Sequence, residues 1–384
     1  MTRIPFFLHD LGQPELDSIA EVFQGPLLTT GETVRRVESR FAEYLGCRHA
    51  LGVTSCTGAL HLSLVALGIG PGDEVITTPL TFIATATAIV EAGARPVFVD
   101  VEPDTGLLDP QRVSEAITPR TRAIVPVHLY GQMCDMRALR AIADRHGLYL
   151  IEDAAHCIEG RRDGVQPGQL GDTACFSFYA TKNLTCGEGG AVVTNDAARA
   201  EKLRLLRSHG MSRGAADRLR EGYQHWDMTV FGWKYNMSNI EAAILLPQLD
   251  RLEANWERRT LLAEHYERLL AGLPHLSWPQ TPAGTRHARH LFVIRVPDGL
   301  RDAVLGCLQQ NGIGVVVNYR AIHLLTWFRE TYGYRPGDFP IAEGWGDSLI
   351  SLPFYPRMPL EHADEVATEL RAALSARTPV ATTT

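Results

Sequence analysis

Lysine is the ionisable residue that this sequence has least of. Of its 37 basic residues, 34 are arginine and only three are lysine, at positions Lys182, Lys202 and Lys234. Lys202 lies among charged residues of a predicted helix, which is typical of a solvated side chain. Any chemistry that needs a lysine amine therefore has only three candidates.

Several other absences exclude whole classes of protein. The seven cysteines form no Cys-x-x-Cys pair, so we expect reduced thiols rather than a disulfide framework or a metal site. The net charge of −7 argues against a nucleic-acid partner, since tracking phosphates needs clustered basic residues. No apolar run approaches the roughly 18 residues that a membrane span requires, and the N-terminal apolar run is too short for a signal peptide. We expect a cytoplasmic protein without a membrane partner.

Short apolar runs alternate with helical stretches through the first 250 residues. Strands are predicted at 50–53, 74–77, 95–99, 123–127, 149–152, 174–178 and 190–194. Bare apolar runs are typical of strands buried on both faces, as in a parallel sheet covered by helices. The sequence therefore predicts an α/β fold with a large domain over residues 1–250 that contains a mostly parallel sheet.

The pattern changes after residue 250. A long amphipathic helix is predicted over 249–270, because its apolar residues recur on one face. Strands at 291–296 and 314–318, a helix at 300–310 and a final helix from 360 predict a smaller α+β domain over residues 251–384. We expect its last few residues to be disordered. The segment 211–231 has little apolar periodicity and is predicted to form a loop over a pocket.

Ligands of a parallel sheet bind beyond the carboxyl ends of its strands, so the residues that follow each strand are the first candidates. The strand at 50–53 is followed by Thr-Ser-Cys-Thr-Gly-Ala and then a helix. Free N–H groups and the helix dipole favour an anion there. Thr57 and Gly58 are candidate phosphate contacts, and helix capping is the alternative interpretation.

The strand at 149–152 is followed by Asp153-Ala-Ala-His156. A carboxylate at the end of a buried strand is costly unless it is paired. A pyridinium nitrogen would pair with Asp153, and the ion pair would make that ring an electron sink. His156 could face the same ring, whereas a helix cap is the alternative role for Asp153.

The strand at 174–178 is followed by Lys182 and by the glycine-rich run 187–190. A desolvated lysine near a cationic ring has a lowered pKa and is suited to a Schiff base. Ser177 adds a hydroxyl for a phosphate, and an ordinary surface lysine is the alternative. A phosphate cradle, an acid for a ring nitrogen and a lysine together form the inventory of a pyridoxal phosphate (PLP) site.

Eight segments also resemble the DegT/StrS family of sugar aminotransferases. They are 53–61, 68–75, 126–132, 151–156 (IEDAAH), 176–184 (FSFYATKNL), 187–190, 234–237 (KYNM) and 351–356. The resemblance extends from about residue 4 to about residue 370. It implies the PLP fold-type I architecture and a homodimer with shared active sites.

The resemblance also implies roles for single residues. Lys182 would form the Schiff base and Asp153 would pair with the pyridinium nitrogen. The other cofactor contacts would be His156 at the phenolic edge, Phe82 stacked on the ring, Thr57, Gly58 and Ser177 at the phosphate, and Asn236 at the phosphate of the partner subunit. His323 would lie near the sugar. Asn318 stands where the family often has histidine, and 24–27 departs from the usual Ser-Gly-Trp-Leu. Both positions are expected to line the sugar side of the site.

The implied reaction is a ping-pong transfer of the amino group of glutamate to a 4-keto sugar on UDP or dTDP. Its product would be an amino sugar for polysaccharide, lipid or natural-product biosynthesis. C-4 is inferred from the resemblance of 182–190 to members that aminate this carbon, and Arg207 and Arg320 are candidate diphosphate contacts. The alternatives are amination at C-3 or of a cyclitol ketone, and a non-catalytic regulator. A dehydratase of this family would carry histidine in place of Lys182.

Overall fold

The computed structural model of the chain describes residues 3–221 and 224–375. The disorder expected for the last few residues lies outside these ranges. The strands are β1 (His49–Val53), β2 (Glu74–Thr77), β3 (Arg95–Phe98), β4 (Thr121–Val125), β5 (Tyr149–Asp153), β6 (Arg161–Arg162), β7 (Thr173–Ser177), β8 (Gly190–Thr194), β9 (Thr285–Arg286), β10 (Phe292–Arg295) and β11 (Leu349–Leu352).

The helices carry most of the remaining chain. They are α1 (Gln13–Phe23), α2 (Glu32–Leu45), α3 (Cys56–Ala66), α4 (Ala84–Glu91), α5 (Pro110–Glu115), α6 (Met136–His146), α7 (Ala197–Leu206), α8 (Ala215–Glu221), α9 (Asn239–Asp250), α10 (Leu252–Leu270), α11 (Arg301–Gln310), α12 (Thr326–Tyr332), α13 (Pro340–Ser348) and α14 (Leu360–Ser375). Two 3-10 turns lie at Leu129–Gly131 and Ile322–Leu324. No helix in the described part of the chain is long and apolar enough to cross a membrane.

Seven strands form one sheet in the order β1-β8-β7-β5-β4-β2-β3. Only β8 runs against its neighbours, β1 and β7, so the predicted α/β fold with a mostly parallel sheet is confirmed. All seven predicted strands lie within two residues of the observed ones. Because β5 and β7 pair in parallel, with Asp153 opposite Cys175, the residues that follow both strands meet at one edge of the sheet.

Helices cover both faces of this sheet. On one face, Leu60 of α3 and Leu203 of α7 pack with Val192. On the other face, Phe41 of α2 and Leu245 of α9 pack with Val193. Consecutive strand residues point to opposite faces, which explains why β8 is buried throughout.

The C-terminal residues form a second apolar cluster around β10, β11, α10, α11 and α14. Ile4 is buried in this cluster and forms a bridge with Ile313. The division of the chain at residue 250 stays a prediction, but the N-terminal residues pack with the C-terminal cluster.

Two local predictions were wrong. Residues 314–318 form no strand, since Val316 makes only an isolated bridge to Ser351. Part of the predicted loop 211–231 is helical, namely α8.

Candidate active site

A cavity of about 580 Å³ opens at the carboxyl ends of β5 and β7. Its volume lies in the range of small-molecule pockets. Seven of the residues singled out in the sequence line it: Thr57, Phe82, Asp153, His156, Ser177, Lys182 and Asn318. Parallel pairing of the strands thus brings together side chains that are far apart in the sequence.

Asp153 is a buried carboxylate on the wall of this cavity. Thr85 donates its hydroxyl to Asp153 Oδ2 at 2.8 Å, and the Ala155 N–H donates to Oδ1 at 3.2 Å. Thr81 in turn lies 2.8 Å from the Thr85 hydroxyl. Burial raises the pKa of Asp153, and among the described residues no cationic side chain lies within ion-pair distance of it. A positively charged ring nitrogen would provide the counter-charge that Asp153 lacks.

Lys182 lies in the same cavity, and burial lowers the pKa of its amine to about 8. The negative charge of Asp153 opposes that shift without reversing it. The neighbouring Asn183 is held by Glu159 at 2.9 Å and by the Ala288 carbonyl at 3.1 Å. These bonds hold Asn183 in place, next to Lys182 in the chain.

The other two lysines lie elsewhere. Lys202 donates to the Ala66 carbonyl at 2.8 Å on the surface. Lys234 is exposed and hydrogen-bonds to Asn236. Of the three lysines, only Lys182 lines the cavity.

His156 is held by two tyrosines. The Tyr130 backbone N–H donates to Nδ1 at 3.2 Å, and the Tyr319 hydroxyl lies 3.3 Å from Nε2. Burial lowers the pKa of His156 well below its usual value, and the positive charge of Lys182 adds to this effect. Because Nδ1 accepts a hydrogen bond, the neutral ring carries its proton on Nε2.

The N-terminus of α3 forms a candidate phosphate cradle. Ser55 is the N-cap, and its hydroxyl accepts from the Gly58 N–H at 3.0 Å. A Cβ on Gly190 would lie 2.5 Å from Ser55 backbone, so this glycine is needed for β8 to approach the cradle. Thr57 and Ser177 line the cavity, as the phosphate role requires.

Gly58 does not line the cavity. The structure does not support its expected phosphate contact, because the Ser55 cap already uses its N–H. An added Cβ on Gly58 would meet the Tyr235 ring at 3.3 Å. Gly58 therefore serves helix capping and packing.

Asn318, Tyr319 and Phe82 line the mouth of the cavity. The Asn318 backbone carbonyl accepts from the Tyr130 hydroxyl at 2.6 Å. Its side-chain Oδ1 is buried and has no hydrogen-bond partner among the described residues. A buried acceptor in a cavity is a site for a donor from a ligand. Phe82 is 53% exposed and lies 5.7 Å from the Tyr319 ring, between centroids.

Two residues expected near the substrate are themselves buried and have structural partners instead. Arg207 is ion-paired with Glu38 and donates to the Gly52 carbonyl at 2.8 Å, so its guanidinium is not available for a diphosphate. His323 is buried, contacts Glu343 at 3.0 Å and packs on Phe339. These placements correct the expectations for both residues. Arg320 is exposed but lies outside the cavity lining.

Asn236 lines a second groove of about 820 Å³ rather than the Lys182 cavity. It donates to the Thr30 hydroxyl at 2.7 Å. The basic residues that line this groove are Arg35, Arg204, Arg207, Arg213, Arg220 and Lys234. We call it the basic groove. Most of these arginines pair with carboxylates at the surface, such as Arg35 with Glu32 and Arg204 with Glu201. Within one chain, Asn236 and Lys182 thus belong to different concavities.

Sequence reasoning missed three residues of the site. Thr85 lies within α4, and no pattern indicates that its hydroxyl reaches Asp153. Tyr130 has φ of 59°, an unusual conformation for a non-glycine residue, and only its place in the segment 126–132 drew attention to it. Tyr319 directly follows Asn318 in the sequence, so the interest in Asn318 could have extended to it.

Comparison with known proteins identifies close relatives. A model of the DegT/DnrJ/EryC1/StrS aminotransferase family matches residues 9–371. The spore coat polysaccharide biosynthesis protein SpsC of Bacillus subtilis (strain 168) is 40% identical over 374 residues, which are 96% of this chain and 96% of SpsC.

Two solved structures share the whole fold. S. venezuelae DesV, crystallised with a ketimine intermediate, is 38% identical with a TM-score of 0.89 and covers 97% of this chain and 98% of its own. Spr1654 of Streptococcus pneumoniae, a candidate sugar aminotransferase solved in its PLP form, is 27% identical with a TM-score of 0.91. The match covers 97% of this chain and 99% of Spr1654.

Proposed function

Because this chain belongs to the DegT/DnrJ/EryC1/StrS aminotransferase family, we propose that it moves the amino group of glutamate to a keto carbon of a nucleotide-linked sugar. The chain is a PLP-dependent aminotransferase of a family of sugar-aminating enzymes. C-4 is the keto carbon that we propose, with UDP or dTDP as the nucleotide. The product would be an amino sugar for polysaccharide, lipid or natural-product biosynthesis.

The observation that carries this function is the meeting of Lys182 and Asp153 in one cavity. The residues there fit PLP. Asp153 lacks a counter-ion and matches the ring nitrogen, while the amine of Lys182 is kept partly neutral by burial. Thr57 and Ser177 offer hydroxyls to the phosphate, and Phe82 offers an aromatic face to the ring. When bound there, PLP supplies an electron sink for the substrate carbon that loses its proton.

The side chains of the cavity then have separate tasks. Lys182 would hold the cofactor and, once released from it, would move a proton to and from the substrate carbon. Asp153, oriented by Thr85, keeps the ring nitrogen positively charged. His156 stays neutral and keeps its proton on Nε2, which lies 3.3 Å from the Tyr319 hydroxyl. The buried Asn318 oxygen accepts a hydroxyl of the sugar, which orients the ketone.

A nucleotide diphosphate would provide binding energy remote from the ketone. The basic groove offers exposed arginines, such as Arg35 and Arg204, whose surface ion pairs can be exchanged for bidentate contacts to the diphosphate. Arg207 is buried against Glu38 and is no longer a candidate. Exposed apolar residues adjoin residues of the groove: Leu28 precedes Thr29, Leu219 precedes Arg220, and Met228 forms a bridge with Met211. We therefore propose a homodimer in which the basic groove of one subunit completes the Lys182 cavity of its partner.

The substrate is tested with matched ketones. The enzyme is incubated with glutamate and, separately, with UDP- and dTDP-linked 4-keto sugars, their 3-keto isomers, the free 4-keto sugar and a cyclitol ketone. Product is followed by mass and the aminated carbon by NMR. We expect amination at C-4 of a nucleotide-linked sugar and little reaction of the free sugar, which lacks the remote contacts.

Amination only at C-3, or only of the cyclitol, would contradict the proposed substrate. Neither result would affect the assignment of the cofactor.

Shared sites are tested by mixing two inactive proteins. Lys182→Ala and Asn236→Ala subunits are each expected to lose most activity, whereas their mixture should regain part of it. In a mixed dimer, one of the two sites has both residues intact. A mixture that stays inactive after confirmed subunit exchange would contradict the assignment of Asn236 to the partner's site.

The lowered pKa of Lys182 predicts how cofactor attachment depends on pH. Only the neutral amine attacks an aldehyde, so the attachment rate of cofactor-free protein should rise with pH and level off above about 8. At pH 7 this pKa leaves roughly 300-fold more neutral amine than an ordinary lysine has. An absorption band at about 420 nm reports attachment of the cofactor. The same reaction with Nα-acetyl-lysine corrects for the titration of PLP itself. A rate that keeps rising to pH 10, as for the free amine, would contradict the environment described for Lys182.

A further inference from the structure

The Tyr319 phenol has an unassigned place in the cavity. Its hydroxyl lies 3.3 Å from His156 Nε2, and its ring lies beside that of Phe82. Tyr319 and Lys182 both line the cavity. The positive charge of Lys182 is also felt at the His156 ring. The phenol and the amine therefore line the same cavity, and both act on His156.

The direction of the hydrogen bond between His156 and Tyr319 follows from the second nitrogen of the imidazole. Nδ1 accepts the Tyr130 N–H at 3.2 Å, so in the neutral ring Nε2 carries the proton and donates it to the Tyr319 oxygen. Two nearby backbone carbonyls already have donors. The Asn318 carbonyl accepts from the Tyr130 hydroxyl, and the Tyr130 carbonyl accepts from the His290 N–H. Among the described residues, the Tyr319 hydroxyl shows no acceptor for its own proton, and the Asn318 side chain is the polar group beside it.

The phenol is also kept in its acid form. Burial raises the pKa of Tyr319, and the negative charge of Asp153 raises it further. The Asn318 side chain opposes this shift without reversing it. A neutral phenol that accepts from His156 keeps its own proton for donation, and Tyr319 lines the cavity where the substrate would lie.

We propose that Tyr319 is a catalytic residue that passes protons to and from the carbonyl oxygen of the substrates. This inference rests on the transamination proposed above. When the amino nitrogen adds to the keto carbon, the C–N bond forms and the oxygen takes the phenolic proton. The nitrogen then returns one proton to the phenolate and supplies the second proton of the departing water, so that the C–O bond breaks. The sum is one C=N bond and one water, with Tyr319 restored.

The same step runs in reverse when the 2-oxo acid leaves after reaction with glutamate. Removal of the glutamate α-proton belongs to Lys182 and precedes that step. The two events can therefore be separated in one experiment with glutamate alone.

The test compares wild-type holoenzyme with Tyr319→Phe. The decay of the visible band after addition of glutamate reports proton transfer by Lys182. Free 2-oxo acid, followed continuously with a coupled dehydrogenase, reports cleavage of the C=N bond. We expect the decay rate to stay within about threefold and the release rate to fall about 100-fold, as for loss of a general acid.

Two further readouts separate chemistry from structure. The cofactor dissociation constant and the pH titration of the visible band should be the same in both proteins. Tyr332→Phe, which removes a phenol outside the cavity, is the matched control and should leave both rates unchanged.

Several outcomes would overturn the proposal. Equal release rates in wild type and Tyr319→Phe would exclude the proton role. Parallel losses of decay, release and cofactor affinity would make the role structural. A changed titration of the visible band would place the phenol on the cofactor instead of the substrate oxygen. A wild-type band that does not respond to glutamate would instead contradict the proposed amino donor.

Discussion

Replacing Lys182 by alanine is expected to lower the rate of amino transfer by at least about 10⁴-fold, because the variant loses both the covalent attachment of the cofactor and the general base. The measurement is the release of 2-oxo acid after addition of glutamate to PLP-loaded protein. The fold should survive, because the loss of a partly buried amine leaves no unpaired charge behind.

Lys202→Ala is the matched control. Lys202 donates to the Ala66 carbonyl on the protein surface, so this variant should keep wild-type rates. A Lys182→Ala protein that retained more than a small fraction of the wild-type rate would contradict the role of Lys182.

The second large effect is expected at Asp153. Asp153→Asn should slow amino transfer by about 10³-fold, which is typical for loss of one preorganised electrostatic contact. An amide is neutral and cannot hold the ring nitrogen in its charged form. PLP should still bind through the phosphate cradle and Lys182, so equilibrium dialysis should show much less loss than the kinetics.

A second variant weakens the support of Asp153 without removing its carboxylate. Thr85→Val removes the hydroxyl that donates to Asp153 Oδ2 at 2.8 Å. It should lower the rate of amino transfer by about tenfold. If Asp153→Asn kept most of the activity, Asp153 would be a structural carboxylate and the pairing with the ring nitrogen would be wrong.

The sheet could be predicted well from the sequence because its strands are buried on both faces. A short apolar run such as 190–194 is typical of a central strand in an α/β chain. The run 314–318 has similar residues, yet Ile313 and Val316 make only isolated bridges to Ile4 and Ser351. Strand formation there depends on distant partners, which local patterns do not report.

The cofactor side of the site was predictable for a related reason. The topology of a parallel sheet gathers the residues that follow its strands, so Asp153 and Lys182 could be expected to meet. The substrate side was not predictable in the same way. Arg207 pairs with Glu38, 169 positions away in the sequence, and His323 pairs with Glu343. Whether an arginine or a histidine is free for a ligand depends on such pairs, which appear only in the folded chain.

The most direct test of the account is reductive trapping of the cofactor. Holoenzyme freed of excess PLP is treated with borohydride and mapped by mass spectrometry. The scarcity of lysine makes the readout simple, since the chain has only Lys182, Lys202 and Lys234. We predict a pyridoxyl group on Lys182 alone. A pyridoxyl group on Lys202 or Lys234, with Lys182 unmodified, would contradict the assignment on which the whole mechanism depends.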